Sequence, residues 1–237
     1  KLQFRGSLKT DKNKTRDQIA IDLLDMFHLY QSDLQGITGA VISSVVPPMT
    51  SAMAGAVEQL SGVRPMIVGP GVKTGMNILA EIHNQLGADI VASSVAAIQK
   101  YPQPIIVIDM GTATTMTVID REARVLGGAI IPGVGISLEA LASGTSQLPH
   151  ISLDAPKKCI STDTIEAMRS GSVYGTAAML DGMIARMEDE LGESATVIAT
   201  GGLGGIVIPH CRREVIYEKN LLLNGLWELY QKNKRKR

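Results

Sequence analysis

The residues best suited to chemistry lie in one short stretch: Asp109, Gly111, Thr112, Thr114 and Thr115, directly after the β-branched run Ile105–Ile108. A strand of that composition, then a polar turn, then the strand-like run Thr117–Asp120, describes a strand–turn–strand unit. Gly111 lets the backbone bend and come close to a ligand. The amides and hydroxyls of Thr112, Thr114 and Thr115 suit phosphate oxygens. Asp109, at the carboxyl end of a strand, suits a cation held directly or through water. The same residues also describe a polar hairpin closed by a capping aspartate, and the stretch alone leaves both readings open.

Three further groups stand out. Gly69-Pro-Gly-Val-Lys-Thr-Gly75 is a loop with three glycines and a lysine, suited to a ligand or dimer contact or to a plain connection. Gly87-Ala88-Asp89 precedes a helix expected over Ile90–Lys100, with Asp89 as its N-cap or as a working carboxylate. Thr200-Gly201-Gly202 follows a strand expected over Ala195–Ala199.

The elements that must position these groups alternate between strand and helix, which makes the class α/β. In the first half, a strand is expected over Leu2–Leu8. Thr15 and Gln18 form a capping box ahead of a helix whose apolar face carries Ile19, Leu23, Met26, Phe27 and Tyr30. A strand over Thr38–Val46, a helix from Pro47 through Leu60 and a strand over Pro65–Val68 follow. In the second half, Val125–Ile131 is a third strand and a helix runs from about Ser137 to Leu141. A short helix over Thr164–Arg169 is expected to end before Gly171. A longer one then carries Val173, Ala177, Leu180, Ile184, Met187 and Leu191 on a single stripe. A strand near Glu214–Tyr217 and a helix over Leu222–Tyr230 close the chain.

Two domains are expected, 1–101 and 102–237, divided near Tyr101-Pro102-Gln103-Pro104. The second half has a three-strand meander before its first helix. The first half enters at the position of the third strand, so the expectation is a first half lacking its N-terminal β-hairpin.

The chain has 237 residues, is 45% hydrophobic and carries no net charge, so it can bury a large core and offers no general field for nucleic acid or an anionic membrane. No apolar run reaches the ~20 residues of a membrane span. Cys159 and Cys211 lack metal spacing and suit a reducing cytoplasm. Aromatics make up 3%, too few for base-stacking platforms. The tail Lys232–Arg237 reads as a solvated end.

Taken together, Asp109-Met-Gly-Thr-Ala-Thr-Thr115, Gly69–Gly75, Gly87-Ala-Asp89, Glu166-Ala-Met-Arg-Ser-Gly171 with Tyr174-Gly175, Val41–Pro48 and Thr200-Gly-Gly-Leu203 resemble the type III pantothenate kinases, in order and over essentially the whole chain. The resemblance implies an actin-like ATPase fold: two ribonuclease-H-like halves with a nucleotide in the cleft between them. It implies ATP-dependent phosphorylation of pantothenate, the first step towards coenzyme A, by a homodimer. Carried over by motif, Asp89 is the general base, and Gly87, Ala88, Asp89, Ile90 and Thr164 contact pantothenate. Gly111, Thr112 and Thr114 serve the phosphates, and Gly201 and Gly202 lie near the adenosine. Asp109 holds a monovalent cation, K+ or NH4+, and Mg2+ bridges the phosphates.

This chain departs from the family pattern in three places. The family opens with a strand and an Asp-x-Gly-Asn-Thr turn that this sequence starts after, so the expectation is either that the sequence is incomplete at its start or that the γ-phosphate side lacks half its cradle. Ile90 stands where the family has the arginine of Gly-Ala-Asp-Arg, and isoleucine cannot clamp a carboxylate. Ala80 and Glu81-Ile-His-Asn-Gln85 replace a tyrosine and an Asn-Pro turn. These departures define a second reading: a catalytically impaired or substrate-altered paralogue that binds or regulates.

Overall fold

The computed structural model describes residues 2–78 and 86–234; the departure at 80–85 lies outside them. The chain forms two compact units. The first comprises 1–74, 86–92 and 226–237, and the second 75–85 and 93–225.

In the first unit, α1 (Arg16–Leu29) starts at the expected capping box: Thr15 Oγ1 accepts from the Gln18 amide at 3.3 Å and Gln18 Oε1 accepts from the Thr15 amide at 2.8 Å. Helix α2 (Pro47–Ser61) opens on two prolines, whose fixed φ suits a first turn. The two helices pack through Ile19, Ala20 and Ala56, with Leu23, Met49, Ala52, Met53 and Leu60 around them. Strands β1 (Val41–Ile42) and β2 (Met66–Ile67) pair in parallel, Val41 opposite Met66 and Ile42 opposite Ile67. They are shorter than the expected runs at 38–46 and 65–68. Leu2–Leu8 is not a strand. Strand composition needs a ladder partner, and the described residues supply none. Phe4 instead packs edge-on against Phe27 and stacks on Tyr30.

In the second unit, β3 (Asn77–Ile78), β4 (Ile105–Met110), β5 (Ala113–Ile119), β6 (Arg124–Pro132), β7 (Thr196–Thr200) and β8 (Ile216–Tyr217) form one sheet in the order β3-β6-β5-β4-β7-β8. Strand β5 runs antiparallel to β4 and β6; β4, β7 and β8 are parallel. Five of these strands, β6-β5-β4-β7-β8, make the ribonuclease-H-like arrangement, with only the second of the chain antiparallel. Strand β3 was not foreseen; two residues are too few for a periodicity to register.

Helix α3 (Ala88–Lys100) has its first turn in the first unit and the rest in the second. Helix α4 (Val134–Ser143) follows β6. Helix α5 (Thr164–Leu191) is one continuous helix of 28 residues, capped by Asp163, whose Oδ1 accepts from the Glu166 amide at 2.9 Å. The expected break before Gly171 does not occur. A glycine inside a helix costs ~1 kcal/mol against alanine, while Met168, Ser170 and Val173 are buried across it. The core of the unit joins Ala177, Leu180 and Ile184 of α5 to Ile106, Ile108 and Met110 of β4, Met116 of β5, and Val197 and Ala199 of β7. After β7 come a short helix, α6 (Gly204–Val207), and α7 (Leu221–Asn233), whose residues from Leu226 belong with the first unit. No described helix is long and apolar enough to cross a membrane.

Candidate active site

The sheet of the second unit gathers most of the flagged residues at one edge. Asp109 sits at the carboxyl end of β4, opposite Thr115 on β5 and Thr200 on β7. Because β5 runs back, its amino end meets the carboxyl ends of β4, β6 and β7, the edge where open α/β sheets bind ligands. The turn Gly111–Thr112 is exposed there and closed by a Gly111 N–H to Ala113 carbonyl bond of 3.0 Å.

Two glycines let neighbouring backbones reach that turn. A Cβ on Gly133, which joins β6 to α4, would stand 2.3 Å from the Thr112 carbonyl oxygen, and the Gly133 amide donates to that oxygen at 3.2 Å. Gly201, after β7, has φ of +98°, and a Cβ there would lie 2.5 Å from the Met110 carbonyl oxygen. The Gly201–Gly202 loop is therefore seated on the residue next to Asp109. Its outer side is held by Tyr217, whose hydroxyl donates to the Gly201 carbonyl at 2.8 Å.

Thr114 is fully buried, and its Oγ1 has no partner among the described residues. Its hydroxyl thus lies under the turn and not on its surface, unlike Thr112. A buried hydroxyl left unpaired is costly, and such atoms mark places where water or an ion completes the bonding. Asp109 is one register position away, so its side chain leaves the opposite face of the sheet from Thr114, which shares its face with Met110.

Thr164 lies elsewhere in this unit. It opens α5 and lines a groove of about 580 Å³ between α4 and α5, with Val134, Leu138, Leu141, Met168 and Met179 among the other walls.

Asp89 belongs to the first unit. It is not the N-cap of α3. The helix opens one residue earlier, the Gly87 carbonyl accepting from the Val91 amide at 3.1 Å, so Gly87 fills the cap position. Asp89 falls in the first turn, and its Oδ1 accepts from the amide of Ile90 at 2.9 Å. A Cβ on Gly87 would stand 2.4 Å from that Oδ1 and 3.7 Å from Val45 Cγ1, so the carboxylate lies beside the segment that leaves β1. Asp89 therefore serves a first-turn amide of α3 from inside the helix and not from the N-cap position. Ile90 and Ala88 are half-buried next to it.

The sequence model of the type III pantothenate kinase family matches residues 1–186. The chain belongs to the type III pantothenate kinase family. It is 41% identical over 234 residues to a type III pantothenate kinase of Exiguobacterium sp., covering 99% of this chain and 92% of that one. To the Brevibacillus brevis protein of the same name it is 38% identical over 232 residues, covering 98% and 91%. A crystal structure of a Campylobacter jejuni protein of the Baf family superposes with a TM-score of 0.50 at 22% identity, over 72% of this chain and 73% of that one, which supports the fold alone.

Tyr217 falls beyond the matched residues. It belongs to no motif, and no spacing in the sequence marks it; it could be found only through what it touches.

Proposed function

We propose that this chain transfers the γ-phosphoryl group of ATP to the hydroxyl of pantothenate, the step that opens coenzyme A synthesis. The observation that carries this reading is the family's Gly-Ala-Asp motif at the start of α3, with the half-buried Asp89 carboxylate oriented by the Ile90 amide. Asp89 takes the hydroxyl proton as general base, and Gly87, Ala88, Ile90 and Thr164 line the pantothenate site. Gly111 and Thr112 hold phosphate oxygens through an exposed turn, with Thr114 beneath it. Gly201 and Gly202 lie against the adenosine. Asp109 holds K+ or NH4+. Bound Mg2+ and the monovalent ion supply charge neutralisation for the transferring phosphoryl group.

The division into halves 1–101 and 102–237 belongs to the same reading, supported in the second half by the order β6-β5-β4-β7-β8. A homodimer is supported by the apolar groove between α4 and α5, where Leu141 stays exposed. A cytoplasmic location accords with two free cysteines.

The assay is phosphorylation of pantothenate by the full protein with ATP, Mg2+ and K+ or NH4+. Turnover is expected, and Asp89→Asn should lower kcat by about 10²–10⁴-fold, the usual share of a general base. No turnover together with no pantothenate binding overturns the reading. Binding without turnover selects the impaired or substrate-altered paralogue, which Ile90 favours because the site then lacks its guanidinium.

A further inference from the structure

Strand β1 has a partner on one side only. The Ala40 carbonyl accepts from the Met66 amide and the Ile42 carbonyl from the Val68 amide, each at 2.8 Å, so Ala40 and Ile42 turn their polar groups towards β2. Successive residues of a strand turn these groups to opposite sides, so those of Val41 face the other edge. Among the described residues the sheet of this unit is β1 and β2 alone, and that edge carries no strand. An unpaired strand edge is a template for a further strand.

Two apolar grooves border the edge. One, of about 650 Å³, is lined by Val41, by Phe4, and by Leu23, Phe27, Val57 and Leu60 of α1 and α2. The other, of about 970 Å³, is lined by the same run Gly39–Val41 and by Trp227 and Tyr230 of α7. Helix α7 is anchored beside them at two points. The Tyr230 hydroxyl donates to the Thr38 carbonyl at 3.4 Å, lying where a Cβ on Gly39 would stand 1.8 Å away. Asn233 Oδ1 accepts from the Lys73 amide at 2.8 Å and its Nδ2 donates to the Lys73 carbonyl at 2.9 Å, which ties α7 to the loop after β2. The cluster packed between α1 and α2 is small, with Ile19, Ala20 and Ala56 buried. Val41, Leu23, Phe27, Val57 and Leu60 are only partly buried, and Trp227 is 59% exposed. Leu2–Leu8, meanwhile, has strand composition and no ladder partner among the described residues, and its Phe4 lines the first groove. An unpaired run and an unpaired edge thus border one apolar space.

We propose that this space is the seat of a β-strand of the same protein, supplied by residues joined ahead of Lys1. Such a strand meets the main-chain groups of Val41, which an apolar small molecule would leave unpaired. With apolar walls from α1 and α2 and from α7, its sequence is a near-continuous apolar run, the pattern of a strand buried on both faces. Gln3 and Phe4 line the groove, so residues joined ahead of Lys1 enter it without a long connection. The hairpin expected ahead of the first half thereby gains a position, independently of the kinase reading.

Hydrogen exchange and fluorescence test this on two lengths of the protein: the chain from Lys1, and the chain with its encoded upstream residues. Trp227 is the one tryptophan, so its emission reports on the α7 groove. In the longer protein, exchange at the Val41 amide should slow by about tenfold or more. Trp227 emission should move to the blue, acrylamide quenching should fall severalfold, and the apolar dye ANS, bound by the shorter chain, should be excluded. Val57→Asp in the longer protein should restore fast exchange at Val41 while exchange across α5 stays unchanged. Equal exchange at Val41 and equal quenching of Trp227 in the two lengths overturn the assignment, as does a reading frame that encodes nothing ahead of Lys1. Protection of Val41 in the shorter chain that grows with protein concentration places a second copy on the edge and overturns it as well. None of these readouts involves turnover, so the kinase reading stands or falls separately.

Discussion

The hydroxyl of Tyr217 donates to the carbonyl of Gly201 at 2.8 Å, and its ring lies where a side chain on Gly204 would have to go, 2.5 Å from the Cβ position. Strand β8 thereby fixes the turn that leaves β7. Tyr217→Phe removes the hydrogen bond and keeps the ring. We expect a cost of ~1 kcal/mol in stability and a severalfold rise in KM for ATP with the KM for pantothenate unchanged. Steady-state kinetics with each substrate varied checks this. An equal change in both constants would mean that the bond holds the fold and not the nucleotide loop.

Gly201→Ala tests the seating of the same turn on β4. The new methyl would have to sit 2.5 Å from the Met110 carbonyl oxygen, at a φ of +98°. Both the contact and the backbone conformation oppose it, each at ~1–3 kcal/mol. Urea denaturation should show the midpoint falling with the slope unchanged.

Asp120 links folding to pH. Burial raises its carboxyl pKa, but the amides of Arg124 and Glu122 and the Arg124 guanidinium outweigh this and hold it below the usual 3.8. Its Oδ1 accepts from both amides, at 2.8 Å and 3.0 Å, and its Oδ2 from Arg124 Nε at 2.6 Å. A carboxyl depressed in the folded state stabilises above its unfolded pKa, and this is lost as pH falls through the folded value. Asp120→Asn should therefore cost stability at pH 7, and the gap to the unmodified protein should narrow below about pH 4. Chemical denaturation across that range measures it.

Leu180 is fully buried at the centre of the α5–sheet core. Leu180→Ala should lower unfolding free energy by about 2–5 kcal/mol, through lost burial and the cavity left behind. Calorimetric unfolding reads the effect directly. A value under 1 kcal/mol would mean that α5 can collapse onto the sheet.

Local patterns carried much of this molecule in the sequence itself. The β-branched run at Ile105 required a buried strand. The stripe from Val173 through Ala177, Leu180 and Ile184 required a helix with one apolar face, and Thr15 with Gln18 marked a helix start to the residue. Asp89, Asp109 and the glycine loops stood out because their chemistry is written in adjacent residues. The tertiary structure decided the rest. Leu2–Leu8 has the composition of a strand but no ladder partner among the described residues, and Gly171 is carried through α5 by buried neighbours on either side. Asp89 lies inside the first turn of α3, where it accepts from the Ile90 amide, because Gly87 fills the N-cap position. Tyr217 reaches Gly201, and Asn233 reaches Lys73, only when strands and helices distant in sequence are brought together. A periodicity reports which face of an element is apolar. Which groups meet depends on how those faces pack, and that is a property of the whole chain.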